Sequence, residues 1–172
     1  RLIEINTNPG GVLLNAILGQ AQRNCMPELA ITPTDAERVE DAVLESMLAE
    51  WRLQRGSTPL VSVAIVDESP RQQYLYPEFV LFQELLRRHG YRAEICGPEE
   101  LVHKQNRLWL GEGTVDYVYN RLTDFALQEP AHEALRAAYL AGEVAMSPHP
   151  RAHAIYADKR NLSVLGDADF LQ

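Results

Sequence analysis

Cysteine is scarce in this sequence. Cys25 and Cys96 are the only two, far apart and in no Cys-x-x-Cys pair. That excludes a disulfide framework and favours reduced, buried thiols. Long apolar runs are also lacking. The longest charge-free stretch, Ile5 to Gln22, holds Asn6, Asn8, Pro9, Asn15 and Gln20, so it makes no membrane span. The first residues do not read as a secretory leader, and a soluble, cytoplasmic protein is expected. Positive charge is in deficit: 16 Lys and Arg stand against 24 Asp and Glu, for a net charge of −8. With no basic stripe, a nucleic-acid surface is not expected. No Gly-x-Gly-x-x-Gly follows a strand and no Gly-x-Ser-x-Gly elbow occurs, which argues against a Rossmann dinucleotide site and a serine hydrolase. Internal repeats and low-complexity tracts are absent as well.

What remains is an ordinary globular composition, 46% apolar and 23% charged over 172 residues, enough for one domain with flanking pieces. The chain opens without Met on Arg1 and enters Leu2-Ile3-Glu4-Ile5, which reads as a strand already under way, so a preceding segment is expected. A turn rich in Asn, Pro and Gly follows, then a helix over 12–25 with Leu13, Ile17 and Ala21 at a spacing of four. Residues 31–33 read as a linker. Thr34-Asp35-Ala36-Glu37 has the capping-box form and opens a second helix, with Val39, Val43, Met47 and Trp51 on one face and Gly56 at its end. Leu60 to Val66 is a continuous apolar run, as in a strand buried on both faces. A helix from Pro77 to Gly90, with Phe79, Phe82 and Leu86 inward, and a strand from Tyr91 to Cys96 complete a β-α-β unit. Further on, the pattern predicts a short helix at 98–102, strands at 107–110, 115–120 and 144–146, a helix at 130–141, a rigid loop at 147–150 and a helical segment at 157–165. Strands alternating with helices imply a mainly parallel sheet covered on both faces. Its ligands would collect at the carboxyl ends of the strands, where Asp67-Glu68-Ser69, Gly97, Asn120-Arg121 and residues 147–150 fall.

Several residues, on that edge and off it, have chemical potential. On a strand, Glu4 and Asn6 point to one side and together offer the hard oxygens that suit Mg²⁺; the same spacing also fits a solvated edge strand. The turn at Gly10 and Gly11 allows backbone to approach a phosphate. Lys159 suits a nucleotide phosphate or simply a solvated helix face. Asp67 reads equally as a binding carboxylate or a turn former. Arg121 fits a substrate carboxylate or phosphate, or a local ion pair with Asp124. His149 and His153 stand four apart, but Pro150 between them disfavours the helix that would join them on zinc.

Leu2-Ile3-Glu4-Ile5-Asn6-Thr7-Asn8-Pro9, followed by a helix, resembles the metal-binding segment of glutathionylspermidine-synthetase-type proteins, which read Glu-x-Asn in a strand, a Pro-containing turn and a helix. Residues 157–165 resemble the same family's phosphate-binding lysine segment, and VDYVYNR resembles its Asp-x-x-Tyr-x-Arg strand. Glu4 and Asn6 precede Lys159 by a whole α/β domain, which is the order of a circularly permuted ATP-grasp. The resemblance implies a partial ATP-grasp segment at 1–30, a Rossmann-like substrate domain at 31–150 and the start of a second ATP-grasp segment at 151–172. It implies Mg²⁺ on Glu4 and Asn6 and ATP phosphates on Lys159. The implied parent is an ATP-dependent carboxylate–amine ligase working through an acyl phosphate, with a small-molecule or peptide carboxylate and an amine as partners, and this portion inactive alone. A non-catalytic α/β binding or scaffold domain is the alternative.

Overall fold

The computed structural model describes residues 5–26 and 36–165. Glu4, the linker at 31–33 and the Thr34-Asp35 cap lie outside these residues. Ile5 and Asn6 are irregular rather than strand.

The structure is mixed α/β. Helices α1 (Val12–Cys25) and α2 (Ala36–Arg55) precede β1 (Ser62–Val66); α3 (Tyr76–Arg88) and β2 (Arg92–Cys96) follow. A second, antiparallel sheet is built from β3 (Leu101–Lys104), β4 (Arg107–Leu110) and β5 (Gly113–Val115). Then come β6 (Tyr117–Asn120), α4 (Glu133–Leu140), β7 (Ala145–Ser147), α5 (Pro150–Tyr156) and α6 (Asn161–Leu165). The main sheet has four parallel strands in the order β2-β1-β6-β7.

Alternation along the strands sorts the core into two halves. Val63 and Ile65 face one cluster with Leu13, Leu44, Met47, Trp51, Phe79 and Phe82, so α1 to α3 cover that face. Ala64 and Val66 face the other with Leu101, Leu108, Val115, Leu135 and Ala138, so α4 and the antiparallel sheet cover the second face. The second cover is part helix and part sheet, where helices alone were expected.

Four local expectations need correction. Residues 98–102 are not a helix: a 3₁₀ turn at Pro98–Glu100 gives way at once to β3. The single strand at 115–120 is two strands broken at Asp116, the first in one sheet and the second in the other. The Asp116 carboxylate accepts from the N–H groups of Val61 and Ser62 at 3.2 and 3.0 Å, and its own N–H donates to Ser62 Oγ at 3.0 Å. This ties the amino ends of β1 and β6 together. On α1 the buried positions are Leu13 and Ala16, while Ile17 is 47% exposed. The thiols differ: Cys96 is buried, but Cys25 is exposed. Among the described residues no helix is long and apolar enough to cross a membrane.

Candidate functional site

The chain passes from β1 outward to β2, then returns to the other side of β1 to lay down β6 and β7. The direction of winding therefore reverses between β1 and β6. In open parallel sheets such a reversal leaves a crevice at the carboxyl ends of the two strands. Asp67 directly follows β1 and Arg121 directly follows β6, so the two expected ligand residues flank that crevice. They share a cleft of about 530 Å³ with Asn6, Asn8, Glu68 and Thr123.

Arg121 is 8% exposed. Its guanidinium lies 5.4 Å from the centre of the Tyr119 ring, a favourable cation–π position. It donates to Asn8 Oδ1 and, at 2.8 Å, to the Pro9 carbonyl. The segment carrying Asn6 is thereby fastened across the sheet edge. The expected alternative, an ion pair with Asp124, is replaced by these contacts. Close packing also explains Gly10: a Cβ there would lie 2.6 Å from Leu75 Cδ1 and 3.0 Å from an Arg121 nitrogen.

Asp67 is 9% exposed and accepts from the Glu68 N–H at 2.9 Å. Burial pushes its carboxyl above the usual value; that N–H and the Arg121 charge pull the other way. Asn6 is exposed in the cleft, and its Oδ1 accepts from the Asn8 N–H at 3.0 Å. That leaves one lone pair on the amide oxygen.

The start of α1 differs from expectation. Gly11 adopts φ +91°, which favours glycine. Its N–H donates to Glu78 Oε2, and the Leu13 N–H donates to Glu78 Oε1 at 3.1 Å. Two N–H groups of the helix end, those of Gly11 and Leu13, already hold a carboxylate from α3, where a phosphate was expected to meet Gly11.

Lys159 lies in an exposed turn between α5 and α6. Helix α5 itself docks on the Asn6 segment: His153 Nδ1 is 2.8 Å from Thr7 Oγ1, and its ring stacks on Phe125 at 3.6 Å. Contrary to expectation, Pro150 opens this helix, and His149 caps it by accepting from the Ala152 N–H at 3.1 Å. Both histidines are thus taken by structural contacts. The structure brings Asn6, Gly10, Asp67 and Arg121 together, and Lys159 is not among the residues that line their cleft.

One constellation was missed. His132 is fully buried, and its Nδ1 lies 2.8 Å from Asp124 Oδ2. Burial alone would raise the Asp124 carboxyl, but the Glu129 and Gln128 N–H groups and the His132 ring hold it below the usual value. The sequence signal available was Glu129-Pro130-Ala131-His132, a Glu and a His three apart. No family model matches the chain, and no curated protein matches it.

Proposed function

We propose that the chain is part of an ATP-dependent carboxylate–amine ligase of the circularly permuted ATP-grasp type, with residues 31–150 as a Rossmann-like substrate domain. One observation carries the reading. The Asn6 segment and the Asp116-to-Arg121 strand, which both resemble parts of that family, meet at the winding reversal through Arg121 and the Asn8 and Pro9 oxygens. In this reading Arg121 orients a substrate carboxylate by charge and paired N–H donors. Asp67, in the same cleft, holds the incoming amine. Lys159 meets ATP phosphates, and Gly10 supplies close backbone approach. Gly11 contributes its turn and not its N–H.

Mg²⁺ fits the exposed amide oxygen of Asn6, a hard donor with a lone pair to spare; Glu4, the companion ligand of this reading, lies outside the described residues. When bound, Mg²⁺ would neutralise phosphate charge. In such ligases ATP phosphorylates the carboxylate, and the amine then displaces phosphate to leave an amide.

Calorimetric titration of MgATP, into the 172-residue chain and into a longer chain that carries it, tests the reading. Saturable, Mg²⁺-dependent binding that weakens at least tenfold in Lys159→Ala and Asn6→Ala is expected. Absence of binding in both chains, or affinity unchanged from the parent in both variants, would sink it.

A second reading, a non-catalytic α/β domain binding a small acid, is favoured by Glu78 already holding the Gly11 and Leu13 N–H groups at the start of α1. A carboxylate ligand that binds without nucleotide and is lost in Arg121→Ala would select it.

A further inference from the structure

The buried imidazole of His132 has one face satisfied and one open. Nδ1 meets Asp124, which also accepts the N–H groups of Gln128 and Glu129 at 2.5 and 2.8 Å. An Nδ1–H donated to that carboxylate fixes the tautomer and leaves a lone pair on Nε2. Nε2 has no hydrogen-bond partner among the described residues. It points toward Glu68 Oε1 at 3.7 Å, too far for a hydrogen bond. Ligand atoms of Glu68, Glu129 and His132 all lie within 4.8 Å of one another.

A lone pair facing the Glu68 carboxylate is repulsive unless a cation, a metal ion or a proton on Nε2, stands between them. A third carboxylate, Asp124, adds negative charge behind the ring. Ligands about 2.1 Å from a tetrahedral ion stand about 3.4 Å apart, so the observed spacing needs only small closure. Asp124 supplies what a metal-bound histidine usually has, a carboxylate on its other nitrogen. We propose that Glu68, Glu129 and His132 bind one first-row divalent transition-metal ion of the zinc class, oriented by Asp124. An imidazole nitrogen among the donors suits zinc, copper, iron or nickel better than magnesium, so this site is separate from the nucleotide reading. The ion would clamp the turn after β1 to the loop before α4 at the cleft rim, and its remaining coordination position would face solvent beside the exposed Glu129.

Zinc alone is the probe. The 172-residue chain is stripped with chelator, and Zn²⁺ is titrated by calorimetry at neutral pH, with the visible spectrum of a Co²⁺ sample as a second readout. The expected result is one ion per chain and a Co²⁺ spectrum without thiolate charge transfer, which separates the site from exposed Cys25. Because His132 is buried and its replacement threatens folding, the decisive variants are on the surface carboxylates. Glu68→Gln and Glu129→Gln each weaken zinc at least tenfold, and Asp124→Asn weakens it by about 10- to 100-fold, with circular dichroism unchanged. Zinc should also raise the melting temperature of the parent chain and not that of the Glu68→Gln/Glu129→Gln double variant. No saturable uptake, or uptake that the double variant leaves unchanged, overturns the proposal. A His132 ring doubly protonated at neutral pH in the presence of excess Zn²⁺ overturns it as well, since a proton then fills the gap.

Discussion

A carboxylate buried without partners is strongly unfavourable, and Glu78 is only 2% exposed. Its two oxygens are met by the Gly11 and Leu13 N–H groups, at the positive end of the α1 dipole. Hydrogen bonds to a charged acceptor contribute about 1.5–3 kcal/mol each. Glu78→Gln is therefore expected to destabilise the fold by about 2 kcal/mol, read as a lower urea midpoint at neutral pH; an unchanged midpoint would remove the capping role. At this scale the sequence was legible where a residue's position on its own element sufficed. Asp67 and Arg121 follow buried strands, and strand ends define the ligand edge. Glu78 sits on a helix that also carries an apolar stripe, and a charged residue there reads as solvated. Its partner is 65 residues away, and only the packing of α1 on α3 reveals it. Glu68 and His132 were separated in the same way.

Element by element, the long periodic segments were readable: α1, the apolar faces of α2 and α3, and β1. Short elements were read unevenly: the strand expected at 107–110 is β4 and the one at 144–146 is β7 to within a residue, but residues 98–102 were misread. Pro98-Glu99-Glu100 has the proline and acids of a helix start, yet the chain turns into β3, because Leu101 is drawn into the core that Leu108 and Val115 also fill. Of the hairpin that follows, the sequence announced the second strand, β4, but not the first. Gln105 and Asn106 both have positive φ, 51° and 56°, as a two-residue turn of the I′ type requires. A β-branched residue is strained there. Gln105→Val is expected to lower stability by about 1–2 kcal/mol, while Gln105→Asn, which tolerates this backbone, should leave the thermal midpoint unchanged or higher. Equal midpoints for the two variants would mean that the turn does not set the hairpin.

For the whole molecule, the sheet divides two cores, and Cys96 belongs to the one behind β1 and β6. Burial, with Glu100, Glu99 and Glu94 adding repulsion, pushes its thiol from 9.0 up to about 12. The folded chain keeps this proton where the unfolded chain releases it. The contribution to stability is therefore complete below pH 9 and falls as pH rises toward about 12. The limiting slope is about 1.4 kcal/mol per pH unit. Urea midpoints should drop above pH 9, with a shallower drop in Cys96→Ala whatever that variant's starting stability. A thiol reagent at pH 8 should label exposed Cys25 at once and Cys96 only on unfolding; equal rates would contradict the burial. The α/β class and the parallel sheet followed from the alternation of elements. The second sheet did not, because a three-residue strand such as β5 carries too little pattern.

The two ends of the main sheet do different work. At the amino end Asp116 bolts β1 to β6 through backbone and hydroxyl contacts. At the carboxyl end Asp67 and Arg121 border open space. Under mutational drift the two ends therefore answer to separate constraints. In the proposed reading, substitutions at the bolted end are judged by whether the chain folds, and those at the open end by what it would hold. The same strands can thus keep one scaffold while their carboxyl ends are refitted for another ligand.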